Sequence, residues 1–168
     1  MAMVSLGTLL TYEGQTIRDI CPHGFDASNK NHCAHFVAHV LQLTFGMTCA
    51  RLVGHAGPAG AANVRVHELF AECPNPKEVL ECPTRGSGLI FVSEAGNFRG
   101  TPVQMRNVRK KHIGIVIDGT VWHYSNSRDR VIRQSVSEFL FHYPRQTNAL
   151  WWADPPMMAR PAGFATSA

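Results

Sequence analysis

The sequence predicts an α+β domain in which a helix lies against an antiparallel sheet. Three features lead there: helical spacing of apolar residues from Asn31 to Phe45, a hairpin pattern over residues 112–125, and their order, helix first and strands after. At 168 residues the chain has the length of one compact domain with a single core. Hydrophobic residues at 45% against charged residues at 17% exclude a disordered chain. No internal repeat or low-complexity tract divides it, so residues 1–168 are read as a single domain.

Residues 1–20 read as an extended entry segment with one short strand or helix. Pro22, Gly24 and the polar run Asp26 to Asn31 then mark a loop. Phe36, Val37, Val40 and Leu41 recur at three- and four-residue spacing; Ser28, Asn29 or Asn31 caps the helix start and Gly46 stops it. Residues 54–63 form a Gly/Ala loop too short to link domains, and a short helix follows at Val64–Glu72, ended by Pro74 and Pro76. Residues 89–93 (L-I-F-V-S) read as a buried strand and residues 95–109 as a loop. Ser135–His142 predicts a last short helix and residues 149–153 (A-L-W-W-A) a final strand.

The strongest local pattern is I-G-I-V-I, Asp118-Gly119, T-V-W-H-Y, a hairpin with a two-residue turn. Such a turn pairs Ile117 with Thr120, so His112 falls opposite Ser125 and Gly114 opposite His123. By alternation His112, Gly114, Val121, His123 and Ser125 share one face, while Ile113, Ile115, Ile117, Trp122 and Tyr124 form an apolar core face. His112 and His123 become diagonal neighbours, roughly 7–8 Å apart at the backbone, with Gly114 expected to leave open space beside them.

Five cysteines (Cys21, Cys33, Cys49, Cys73 and Cys82) leave one unpaired in a monomer, or all five reduced. Cys33 sits in the first turn of the predicted helix, where backbone N–H groups and the dipole lower a thiol pKa. A thiol there and two histidines on one hairpin face have the composition of a nucleophile, a base and a group that fixes the tautomer of the base. The plainer alternatives are a core cysteine on the apolar stripe and two unrelated strand histidines.

N-H-C-A-H-F-V at a helix start, G-L-I-F-V as a strand and K-H-I-G-I-V-I-D-G-T-V-W-H-Y-S resemble the NlpC family of bacterial cell-wall cysteine peptidases. The resemblance covers about residues 28–126, with the strand at Trp151 as an extension. It implies a papain-like core, Cys33 as nucleophile, His112 as base and His123 as orienting residue; Ser125 and Asn126 become the candidates for the third role if His123 falls on the opposite sheet face. It also implies a peptidoglycan peptide as substrate and an amide hydrolysis that runs through an acyl-enzyme without cofactor or metal. Asn31, His32, His35, Gly114 and Ser125 are the candidates for substrate or oxyanion contacts, together with the Cys33 backbone N–H. The family's usual Asp-Cys-Ser-Gly-Phe opening is changed here, with His32, Ala34 and His35 at the first, third and fourth positions.

Three other readings compete. His32, His35 and His39 fall on one helical stripe at metal-ligand spacing, although no acidic partner accompanies them. Arg106, Arg109, Lys110 and Lys111 form a short basic cluster without an aromatic platform, so nucleic acid is not expected as a partner. The same Cys–His pair also suits acyl transfer or deamidation.

A net charge of +4 and a pI near 9.0 suit an anionic polymer as well as an ordinary surface. No apolar run spans a membrane, and the N-terminus has no basic n-region. The expectation is a monomer delivered to the cell wall or periplasm by specialised export, or otherwise one acting in the cytoplasm, with an immunity or inhibitor protein as candidate partner. Among pairings of the remaining cysteines, Cys73–Cys82 is favoured, since the two bracket a compact segment.

Overall fold

The computed structural model describes residues 4–54, 64–80 and 85–156, and these are built from helices and an antiparallel sheet, an α+β arrangement. The sheet strands are β1 (Lys77–Glu78), β2 (Ser87–Glu94), β5 (Lys111–Ile117), β6 (Thr120–Ser125), β7 (Arg130–Ser135) and β8 (Asn148–Ala153). Their spatial order is β1-β8-β2-β5-β6-β7. A separate two-residue ladder, β3 (Phe98–Arg99) with β4 (Gln104–Met105), gives some order to the predicted loop over 95–109. The Gly/Ala loop lies largely, and Cys82 wholly, outside the described residues.

The central hairpin follows the parity of its two-residue turn. Ile117 pairs with Thr120, Val116 with Val121 and Ile115 with Trp122. Asp118 and Gly119 both have positive φ, 45° and 77°, the backbone that a type I′ turn demands. Alternation then sorts side chains into two cores. Leu89, Phe91, Ile113, Ile115, Trp122 and Tyr124 face one layer; Ile90, Val92, Val116, Val121 and Leu150 face the other.

The first layer holds α3 (Cys33–Val40) and α5 (Val66–Glu72), and the second holds α6 (Val136–Leu140). Helix α3 ends at Val40, five residues before the expected Phe45. Gln42 takes a left-handed φ of 55°, its N–H donates to His39 O, and the Leu43 N–H donates to Ala38 O. This is a Schellman closure made by a glutamine where glycine is the usual residue, so no residue type marks the stop there. Before α3 the chain forms α1 (Leu6–Tyr12) and the single turn α2 (Ile17–Ile20) rather than an extended segment; after it comes the single turn α4 (Cys49–Leu52). The buried Tyr124 hydroxyl ties α2 to the sheet, accepting from the Ile17 N–H at 3.0 Å and donating to Asp129 Oδ1 at 2.7 Å. Among the described residues, no helix is long and apolar enough to cross a membrane.

Candidate active site

Cys33 opens α3 and is buried, with 1% of its surface exposed. Two side chains hold the helix start. Asn31 Oδ1 accepts from the Cys33 N–H at 3.1 Å, and Asn126 Oδ1 accepts from the His32 N–H at 2.8 Å. Asn126 Nδ2 also donates to Asn31 Oδ1 at 3.1 Å. The backbone donor expected to receive an oxyanion is therefore already engaged, and Asn31 acts as a cap rather than an open contact. Burial pushes the Cys33 thiol up to about 12, although the N–H groups of Ile113, Ala34 and Cys33 itself and the charge of Lys111 favour its thiolate. The thiol lowering expected at a helix start is thus reversed, because desolvation outweighs the donors.

The histidines of the hairpin form a relay. His112 Nε2 lies 2.8 Å from His123 Nδ1, and His123 Nε2 lies 2.7 Å from Gln134 Oε1 on β7. The amide oxygen only accepts, so His123 carries its proton on Nε2 and its Nδ1 accepts from His112. His112 is left as the Nε2–H tautomer, with a lone pair on Nδ1. That Nδ1 is buried and makes no hydrogen bond. Burial holds His112 well below the ordinary histidine range, aided by the neighbouring His123 and His142. His123 falls to about 4, chiefly from burial and against the bond to Gln134. Both rings are neutral at pH 7.

Cysteine and histidines approach β5 from opposite sides. Cys33 packs with Ile113 and Ile115 on the α3 layer and faces the Ile113 backbone N–H, one residue from His112. His112 and His123 point to the α6 layer, with ring centroids 5.5 and 5.2 Å from Phe139. The β5–β6 pairing ends at Ile115–Trp122, short of His112 and Ile113. No thiol–imidazole hydrogen bond closes the pair, since His112 Nδ1 is unpaired.

The remaining candidates take other places. His32 and His35 are fully buried. They form a chain from Ala27 O to His32 Nε2 at 2.9 Å, from His32 Nδ1 to His35 Nδ1 at 3.1 Å, and from His35 Nε2 to His39 Nε2 at 2.9 Å. The space expected beside Gly114 is filled: a Cβ there would lie 2.5 Å from Val121 Cγ1 and 3.0 Å from Trp122 O. Ser125 is buried, and its hydroxyl bonds Ser127 Oγ at 3.2 Å instead of facing His112. Lys111, from the basic cluster, turns back to Asn107 Oδ1 and Val108 O. Among the described residues, two groups have ligand atoms within 4.8 Å of one another and could hold a metal ion: Cys21, His35, His39 and Cys49, and His112, His123 and His142.

Sequence reasoning missed Gln134 and His142. Gln134 lies on β7, a strand that the sequence pattern does not announce, and only the β6–β7 register brings it to His123. His142, just after α6, stacks on His112 with centroids 4.0 Å apart and planes 11° from parallel. Neither family models nor curated proteins give a match to this chain. The likeness to the NlpC family rests on its motif residues alone.

Proposed function

We propose that the protein is a thiol hydrolase of amide bonds with a papain-like core, Cys33 as nucleophile, His112 as general base and His123 as positioning residue. One observation carries this reading: Gln134 and His123 fix His112 in the tautomer whose free Nδ1 lone pair is that of a base, on the strand whose other face receives Cys33. In the resting state thiol and imidazole are both neutral and buried. The two groups lie on opposite sides of β5, so catalysis requires the start of β5 to shift until the thiol meets Nδ1; the thiol proton then passes to His112 as sulfur attacks the carbonyl. His112 then protonates the leaving amine, and in the second half takes a proton from the water that cleaves the thioester. For the Cys33 N–H to hold the oxyanion, the oxyanion must displace Asn31 Oδ1.

The NlpC resemblance makes peptidoglycan peptides the first substrates to try, and places the action at the cell wall after export, with an immunity protein as a fitting partner. Purified protein should release new amino termini from cell-wall fragments, detected by mass spectrometry. Cys33→Ala should abolish release, and an acyl group should be trapped on Cys33. Wild-type turnover by Cys33→Ala would refute the proposal, whereas release of ammonia or transfer to an added amine would move it to deamidation or acyl transfer. Toxicity confined to periplasm-targeted expression, and lost with Cys33→Ala, would support the site of action.

A further inference from the structure

The first fifty residues contain a second cluster of chemistry-bearing side chains that the hydrolase reading does not use. Cys21 caps the end of α2, His35 and His39 stand one turn apart on α3, and Cys49 opens α4. Cys21, His35 and Cys49 are buried and His39 is half-buried. One ligand atom from each lies within 4.8 Å of all the others.

From these residues we infer a structural zinc site of Cys2His2 type, with Cys21, His35, His39 and Cys49 as its four ligands. The spacing fits the ion. Zinc–nitrogen and zinc–sulfur bonds of about 2.0–2.1 and 2.3 Å set tetrahedral edges of about 3.3 Å for N···N and 3.6 Å for N···S. Cys49 Sγ lies 3.6 Å from His39 Nε2, and the two Nε2 atoms are 2.9 Å apart, so they need open by only about 0.4 Å.

The surrounding hydrogen bonds prepare the ligands. Ala27 O only accepts, so His32 carries its proton on Nε2 and accepts at Nδ1. His35 must then donate from Nδ1 to His32 Nδ1, which leaves its Nε2 lone pair directed into the cluster. A zinc-bound histidine whose far N–H is held by an acceptor has this arrangement. Phe25 packs edge-on against both rings, with centroids 5.5 Å from His32 and 5.4 Å from His35.

The fold gives a reason for the ion. Helices α2 and α4 have four residues each, too short to hold their own shape. A metal bound by both and by α3 ties them to the helix that carries Cys33. Four protein ligands and burial leave no open coordination position, so the site is structural rather than catalytic.

The test uses the untagged full chain, and its failure is separate from that of the hydrolase reading because no activity is measured. Elemental analysis should find about one zinc per chain. Cobalt-substituted protein should show the intense visible bands of tetrahedral cobalt and the near-ultraviolet bands of thiolate ligation. Zinc content should fall at least tenfold in Cys49→Ser and His39→Asn, and persist in His112→Ala and His142→Ala. If the ligand variants fail to fold, the wild-type cobalt spectrum and thiol titration with and without a chelator still decide. Protein that takes up neither ion after reduction, a Cys21–Cys49 disulfide in the native chain, or cobalt bound without thiolate bands would each overturn the site.

Discussion

Replacing Gln134 by Leu tests the relay at its outer end. Gln134 Oε1 is the acceptor for His123 Nε2, and His123 is 1% exposed. Leucine has similar bulk but no acceptor, so a buried N–H loses its partner at a cost of roughly 1–3 kcal/mol. His123 escapes part of that cost by moving its proton to Nδ1, which then donates to His112 Nε2. This forces the His112 proton onto Nδ1 and removes the base. If the displaced tautomer carries the same penalty, kcat/KM for amide release falls roughly 5- to 150-fold. Nitrogen NMR of the histidine rings reads the tautomer directly: wild-type His112 should be protonated at Nε2, and the variant should show a large Nδ1–H fraction. Gln134→Glu keeps an acceptor and should keep the wild-type tautomer. An Nδ1–H His112 in the wild-type protein, or unchanged tautomer and turnover in Gln134→Leu, would refute the reasoning.

Three further outcomes are expected. Gly114→Ala sets a Cβ 2.5 Å from Val121 Cγ1 and against the Trp122 carbonyl; overpacking of about 1–3 kcal/mol should lower Tm by roughly 2–12 °C in calorimetry, and an unchanged Tm would contradict the close strand approach. His123 is neutral in the fold with a pKa near 4, against 6.5 for its ordinary value, so its contribution is intact above about pH 6.5 and is lost as the pH falls toward 4. At pH 5 this amounts to about 2 kcal/mol, visible as a drop in Tm between pH 7 and pH 5 that His123→Gln should reduce. Cys33, raised from 9.0 to about 12, should resist iodoacetamide at pH 8, with about a thousandth of the thiolate of an unshifted thiol. Peptide mapping that finds Cys33 alkylated as fast as a small-molecule thiol would contradict the burial.

Local rules made much of the fold legible in advance. Asp118-Gly119 has the residues of a type I′ turn, the turn sets the parity, and parity alone placed His112 and His123 as diagonal neighbours; their rings meet at 2.8 Å. The antiparallel sheet, the helix opening at Cys33 and the final strand at Trp151 also follow from short-range spacing and alternation. Other features depend on residues far apart in the chain. Gln134 reaches His123 only through the register of β7, whose sequence R-V-I-R-Q-S alternates too weakly to announce a strand. His142 reaches His112 because α6 folds onto that side of the sheet. The thiol's ionisation depends on the whole packed layer around α3, so a helix-start rule gave the wrong sign once burial was complete. His32, His35 and His39 showed a helical stripe, but Cys21 and Cys49 join two of them only when α2 and α4 close around α3. Spacing determines which side chains share a turn or a strand face; tertiary packing determines which faces meet and how much water is left between them.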